Sequence, residues 1–268
     1  MKAYITALSD KNYLKGCLVL NESLKQVNSQ YPLVVLASKD LDTKTIRTLK
    51  KNNIEIVYPK NDLNLPENII KQNTEADFAY WTKTFIKLLA FDLDEYEKIV
   101  LVDNDIIILE NIDDLFKKPH MSGVALFKDT MGSKDCSSGF LVIEPQKDFS
   151  KNFNSIIEKI SNDNKHVGDQ DVINQYYPNW FDNKALHLDI DYHIMFGDVW
   201  FYYTKFGYGK DKAIKSVHFP GKKKPWMKPI THIEHYIKFV IRKQWILFKI
   251  FYKYDKILLK ITIKNLFL

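Results

Sequence analysis

Apolar residues recur along this chain in short runs separated by longer amphipathic stretches. Runs rich in Val, Ile, Leu, Tyr and Phe cover residues 3–8, 33–37, 54–58, 99–102, 106–109, 124–127 and 140–143, each short enough for a buried strand. Between them, residues 13–27, 43–52, 81–93, 149–161 and 170–176 space their apolar positions with a helical period. Strand and helix alternate over roughly the first 110 residues, which predicts an α/β domain with a mostly parallel sheet and helices on both faces. Such sheets bind ligands at the carboxyl ends of their strands.

From His232 to Leu268 the pattern changes to a long helical stretch. At about 100° per residue, Lys238, Arg242, Lys249, Lys253, Lys256, Lys260 and Lys264 gather within roughly 80° of the wheel, and Lys243 strays from that stripe. The rest of the circumference is mostly Ile, Leu, Phe, Tyr and Trp, more apolar surface than water tolerates. Lysines interrupt every span of about 18 residues, which argues against a transmembrane helix. The tail therefore reads as a basic amphipathic helix lying on an anionic membrane surface. Packing back on the domain and a dimer contact are the competing expectations, as is a division into two helices at Tyr254 and Asp255. The expected division of the chain is a domain at 1–231 and the tail at 232–268.

Charge sharpens this division. The chain of 268 residues carries a net charge of +6, and the tail, with eight basic and two acidic residues, holds all of it. The preceding residues balance, so the globule offers no nucleic-acid footprint. Hydrophobic residues make up 46% of the chain, enough for one packed domain. Cys17 and Cys136 form neither a disulfide framework nor a metal-binding spacing, which fits a reducing compartment. The opening MKAYITALSD passes straight into a strand without a secretory pattern, so the expected location is cytoplasmic, peripheral to the inner face of the membrane.

Five D-x-D triplets occur, at Asp40/Asp42, Asp92/Asp94, Asp103/Asp105, Asp169/Asp171 and Asp189/Asp191. The first pair reads as a helix N-cap region and the second as surface aspartates at a helix end. Asp103 and Asp105 follow KIVLV, at the carboxyl end of a buried strand. Side chains at i and i+2 of an extended strand leave one face, so these carboxylates can converge on a cation. A strand-ending turn with exposed aspartates is the alternative. In SVHFPGKKKPW, His218 suits Mn²⁺ or Zn²⁺, Gly221 permits close backbone approach and Lys224 can neutralise a diphosphate. A solvated charge run beside a satisfied core histidine is the plainer reading. Asp169 and Gln170 open a helix after Gly168, where Asp169 can be a simple N-cap. In ENIDDLF, Asp113 and Asp114 read as caps rather than ligands.

Five motifs in order, YLKGCLVLNESLKQ, KIVLVDNDIIILENIDDLF, SSGFLVI, GDQDVIN and HFPGKKKPW, resemble glycosyltransferase family 8, the glycogenin-like retaining transferases. The resemblance covers roughly residues 1–229 and implies a single catalytic domain of the Rossmann-like GT-A fold. It implies that Asp103, Asp105 and His218 hold a divalent cation, Mn²⁺ or Mg²⁺, on the diphosphate of a UDP-sugar. Gly221 and Lys224 correspond to a loop closing on that diphosphate, and Lys87 to a basic contact with the donor. Ala7, Ser9, Asp10 and Tyr13 correspond to the uridine pocket, with Asn104 beside the ribose. Ser137, Ser138 and Gly139 correspond to residues that line the donor sugar, and Asp169 with Gln170 to the pair nearest the anomeric carbon.

The chain departs from the family at Ser137, where Asn is frequent, and at His166, where an acid is frequent. Both bear on which sugar is taken. The expected partners are a UDP-sugar, a glycan or glycolipid acceptor such as a lipopolysaccharide intermediate, and the membrane surface. The alternatives are a soluble self-glucosylating protein, with Tyr202 or Tyr203 as acceptor, and a non-catalytic sugar-nucleotide or membrane-tethered module. Replacing Asp103 or Asp105 by Ala is expected to abolish transfer without unfolding the protein.

Overall fold

The computed structural model describes residues 1–125, 134–163, 165–227 and 230–266. Strand β1 (Lys2–Leu8) lies parallel between β2 (Leu33–Ala37) and β4 (Lys98–Val102), and β2 pairs in parallel with β3 (Glu55–Val57). β7 (Cys136–Ile143) runs antiparallel beside β4, and β6 (Gly123–Ala125) antiparallel beside β7. The sheet order is β3-β2-β1-β4-β7-β6, a mostly parallel sheet as the alternation predicts. Of the expected strand 124–127, residues 126 and 127 lie outside the described residues. All five residues of β2 are buried, which is why that strand reads as an uninterrupted apolar run.

Crossovers α1 (Leu14–Gln26) and α2 (Thr43–Lys51) follow the periodicity. Asp42 caps α2 by accepting from Thr45 N at 2.8 Å. Two helical segments, α3 (Glu67–Glu75) and α6 (Val199–Phe206), were not expected. α4 (Lys151–Ile160) and α5 (Asp169–Tyr176) match their patterns. The segment read as a helix over 81–93 is instead a 3-10 helix, Ala79–Asp92. Because that helix repeats every three residues, Tyr80, Lys83 and Ile86 form one row and Trp81, Thr84 and Lys87 the next, and both rows face the same cleft. Asp92 is buried, where Ser150 donates to it through its backbone and hydroxyl, so it is a tie between elements rather than a surface residue.

A second sheet decides the position of the candidate histidine. β5 (Ile106–Ile108) pairs antiparallel with β9 (Ser216–His218), and β9 pairs in parallel with β8 (Ile194–Met195). β5 falls in the apolar run at 106–109, whereas β8 and β9 are too short to be legible as runs.

The tail is two helices, α7 (Ile230–Ile241) and α8 (Trp245–Leu266). The break falls at residues 242–244, where Lys243 adopts φ 55°, and not at Tyr254 and Asp255. Both of those residues lie inside α8: Tyr254 is buried, and Asp255 accepts from Tyr236 Oη at 2.7 Å and pairs with His232, fastening α7 to α8. Leu247, Ile250, Phe251, Tyr254, Ile257 and Ile261 are buried with Cys17, Leu18 and Phe219 in one core cluster. Each such side chain contributes about 1.5–3 kcal/mol on burial, so packing back on the domain is realised. The break separates Lys238 and Arg242 from Lys249, Lys253, Lys256, Lys260 and Lys264, which share α8, and Lys260 is engaged by Glu22 at 2.6 Å.

Candidate functional site

Between β4 and β5 the chain makes a tight turn, in which Ile106 N donates to the Asp103 carbonyl at 3.2 Å. Asp103 and Asp105 converge through this turn, not through strand alternation, because β4 ends at Val102. Three other segments hold the turn: Asp103 N donates to Gly139 O at 3.0 Å, Phe219 N to Asp105 O at 3.0 Å, and Asn104 Nδ2 to Ala7 O at 2.9 Å. Gly16 of α1 allows the close approach, since a Cβ there would lie 2.3 Å from the Asn104 carbonyl.

The pairing of Ile106 with His218 carries the imidazole to the turn. His218 Nε2 lies 3.0 Å from Asp105 Oδ1 and 4.0 Å from Asp103 Oδ2. One ligand atom from each of the three residues falls within 4.8 Å of the others, a carboxylate–carboxylate–imidazole set that fits Mn²⁺. Lys224 donates to Asp105 Oδ2 and, at 3.0 Å, to the Phe219 carbonyl. Lys87 lies 3.0 Å from Asp103 Oδ1 and 2.7 Å from Asp169 Oδ2. Three carboxylates thus face two ammonium groups, a surplus that a divalent cation would compensate.

The two carboxylates of the turn are unequal. Burial raises the pKa of Asp103, reinforced by Asp105 and opposed by Lys87. At Asp105 burial acts in the same direction, but His218 and Lys224 outweigh it and hold the carboxyl well below its usual range. Burial alone would lower the Lys87 pKa, yet Asp103 and Asp169 raise it above the usual lysine value.

On the wall of the cleft that follows β1, Lys83 joins Asp10 at 2.6 Å and its carbonyl accepts from Ser9 Oγ at 3.0 Å. Burial, then Asp105, pushes the Tyr13 hydroxyl up to about 12. Trp226 Nε1 donates to Asn12 O at 2.8 Å and its ring meets Tyr13 edge-on, which ties the 218–226 loop to the start of α1. Gly221 has φ 87°, a left-handed conformation that favours glycine. On the far wall, Asn174 of α5 bonds both backbone groups of Cys136, at 2.7 and 2.9 Å. That fixes α5 along β7, where Ser138 N donates to Gln170 Oε1 at 3.4 Å. Ser137 Oγ accepts from Gly139 N at 3.3 Å. Asp169 is not the N-cap of α5: Asp171 takes the Gly168 N–H at 2.7 Å and leaves Asp169 to Lys87.

Ala7, Ser9, Asp10, Tyr13, Lys87, Asp103, Asn104, Asp105, Ser137, Ser138, Gly139, Asp169, Gln170, His218, Gly221 and Lys224 all line one cleft of about 700 Å³ at the carboxyl end of the sheet. Sequence reasoning missed Tyr80, Trp81, Thr84, Met195 and Pro220, which also line it. The spacing of three in YWTKTFIK is the signal that would have exposed the first three. It also missed Gly16. The rival triplet Asp189/Asp191 is structural: Asp189 accepts from Tyr208 Oη at 2.7 Å, and Asp191 pairs with Lys215 at 3.2 Å. Asp113 and Asp114 are not caps. Asp113 accepts from Tyr4 Oη and Ser29 Oγ, each at 2.7 Å, and Asp114 from Tyr192 Oη, so both join distant elements.

Residues 4–229 match the sequence pattern of the family described as Glycosyl transferase family 8. Glycogenin-1 of Mus musculus is 29% identical over 234 residues, covering 84% of this chain and 65% of that protein. The chain spans a little under two thirds of the length of the glycogenins it matches first. Uncharacterized protein R707 of Acanthamoeba polyphaga mimivirus is 32% identical over 249 residues, covering 84% of this chain and 82% of that protein. Among solved structures, the galactosyltransferase LgtC in complex with donor and acceptor sugar analogs superposes with a TM-score of 0.60 at 15% identity. That likeness covers 86% of this chain and 91% of that one, and it is a likeness of fold.

Proposed function

Because the chain belongs to glycosyl transferase family 8 and has the GT-A fold expected of it, we propose that it is a metal-dependent, retaining glycosyltransferase. It transfers a hexose or N-acetylhexosamine from a UDP-sugar to a hydroxyl acceptor. The observation that carries this reading is the set of three ligand atoms within 4.8 Å of one another at the centre of the cleft. Asp103, Asp105 and His218 would hold Mn²⁺ or Mg²⁺, which supplies Lewis-acid stabilisation of a leaving diphosphate.

The chain's own groups divide the rest of the work. Ala7, Ser9, Asp10 and Tyr13 bind the uridine, with Asn104 beside the ribose. Lys224 and Gly221 meet the diphosphate. Ser137, Ser138, Gly139 and Lys87 border the sugar, and Asp169 with Gln170 faces the anomeric carbon. Asp169 is held by Lys87 at 2.7 Å, and a carboxylate so engaged is a weak nucleophile, which supports a front-face route over a double displacement.

The test is UDP release from UDP-glucose, UDP-galactose and their N-acetyl forms, with Mn²⁺, Mg²⁺ or chelator, and with candidate glycan acceptors. Cation-dependent turnover of one donor is expected. Binding of UDP-sugars without turnover under every condition would favour the non-catalytic module instead. For the self-glucosylating alternative, neither Tyr202 nor Tyr203 lines the cleft. Sugar mass added to the intact protein from donor alone would reinstate it.

For the acceptor side we propose a glycolipid, such as a lipopolysaccharide or other surface-glycan intermediate, met at an anionic membrane on the cytoplasmic side. No helix among the described residues is long and apolar enough to cross a membrane. Ile233, Ile237, Val240 and Ile241 of α7 are exposed at spacings of one helix face. Exposed Lys238, Arg242 and Lys243 flank them, so apolar and basic groups meet at one edge, as interfacial binding requires. Flotation with anionic liposomes should be lost on replacing Ile237 and Ile241 by Glu. Equal flotation of both proteins rejects the proposal.

A further inference from the structure

His193 is fully buried against the candidate cation site, and no role described so far uses it. Its Nε2 lies 2.9 Å from His218 Nδ1. The two rings stack with centroids 4.9 Å apart and planes 19° from parallel, and Phe140 stacks on His193 as well. The position is held by the backbone: His193 N donates to Ile190 O at 2.9 Å, and the next residue, Ile194, pairs with Val217 of β9.

His218 turns Nε2 toward Asp105 and Asp103 and Nδ1 toward His193. If Nε2 is to offer its lone pair to a cation, the ring proton must sit on Nδ1 and find an acceptor there. We propose that His193 is the positioning residue of the cation site, accepting the Nδ1 proton of His218 and fixing the ring so that Nε2 is free to ligate. The inference rests on the reading of Asp103, Asp105 and His218 as cation ligands.

The pair serves both states of the site. Without a cation, Nε2–H of His218 donates to Asp105, and Nδ1 accepts from Nε2–H of His193. With Nε2 ligating, Nδ1–H of His218 donates back to His193 Nε2, and His193 carries its proton on Nδ1. Two protons reside on the pair in either arrangement. His193 Nδ1 is buried and has no hydrogen-bond partner among the described residues, so in the ligating arrangement its N–H is an unpaired donor whose cost the bond from His218 Nε2 to the cation must offset.

The experiment is Mn²⁺ titration of the full chain followed by the paramagnetic resonance of free Mn²⁺, with melting temperatures taken on metal-free protein. His193→Phe, which keeps the ring without an acceptor, should weaken Mn²⁺ binding by about 10–100-fold. His193→Gln, whose amide can donate or accept by rotation, should restore affinity close to the wild-type value. In turnover, the Phe variant should raise the Mn²⁺ requirement and leave kcat at saturating Mn²⁺ nearly unchanged. If His193→Phe does not fold, His193→Met stands in for it. Wild-type affinity in the Phe variant overturns the proposal, as does equal weakening by Gln and Phe at unchanged melting temperature. A wild-type chain that binds no Mn²⁺, or binds it equally after Asp103→Asn, overturns the cation-site reading and His193 with it.

Discussion

His218 stands 3.0 Å from Asp105 because β5 and β9 pair in a register that sets Ile106 opposite His218. The same carboxylate is the partner of Lys224, whose side chain is only 5% exposed. Asp105 therefore has two functions, as candidate ligand and as counter-ion of a buried ammonium.

That double use separates two substitutions the sequence treats alike. Asp103→Asn leaves Lys87 paired with Asp169, so it should remove Mn²⁺ binding with little change in melting temperature. Asp105→Ala strands Lys224 in the interior, and an uncompensated buried charge costs about 3–5 kcal/mol. Urea unfolding of the two variants should show the second much the less stable. Equal stability of both would mean that Lys224 finds another partner.

Gly16→Ala should damage the site without touching it. The added methyl would lie 2.3 Å from the Asn104 carbonyl and 2.7 Å from Trp226, so the turn carrying Asp103 and Asp105 must shift. A tenfold or greater weakening of Mn²⁺ binding is expected, of the order seen when groups that orient metal ligands are lost. A Mn²⁺ titration indistinguishable from wild type would show that α1 yields instead.

Acid should weaken the join between Asp113 and β1. Burial raises the pKa of that carboxyl, but hydrogen bonds from Gln30 N, Ser29, Tyr4 and Asn111 outweigh it and hold it below the usual range. A pKa lower in the folded than in the unfolded state contributes stability present above the unfolded value, about 3.9. That contribution is lost as pH falls through the folded value. Asp113→Asn should thus lower stability at pH 7 by about 1 kcal/mol, discounted for partial exposure. The gap from wild type should close as the pH of denaturant unfolding is taken below the usual carboxylate range.

The tail should behave as core. Phe251 is 4% exposed and meets Phe196, Phe219 and His232. Phe251→Ala is expected to destabilise the whole domain by about 3–5 kcal/mol. A single cooperative transition at lower denaturant would bear this out. Loss of a separate tail transition, with the main one unmoved, would contradict it.

The strands of the large sheet were legible because β1, β2 and β4 are buried on both faces, and their residues alone carry that burial as apolar runs. The ordered motifs likewise carried most of the expected residues that line the cleft. What stayed hidden depends on contacts between distant segments. β8 and β9 are two and three residues long and exist through pairing. His193 in LDIDYHI carries no mark of its bond to His218, and α3 buries only Ile69 and Asn73, too few positions to set a period.

By itself the sequence determined the α/β alternation, the family and many of the residues that line the cleft, since burial period and motif order are properties of neighbouring residues. Only the tertiary structure decided that the two aspartates converge through a turn and that Lys87 and Lys224 each answer a carboxylate. It also decided that the tail folds as two helices into the domain. Those outcomes turn on distances of a few ångströms between groups far apart in the chain, where pairing and desolvation act together and no local pattern records them.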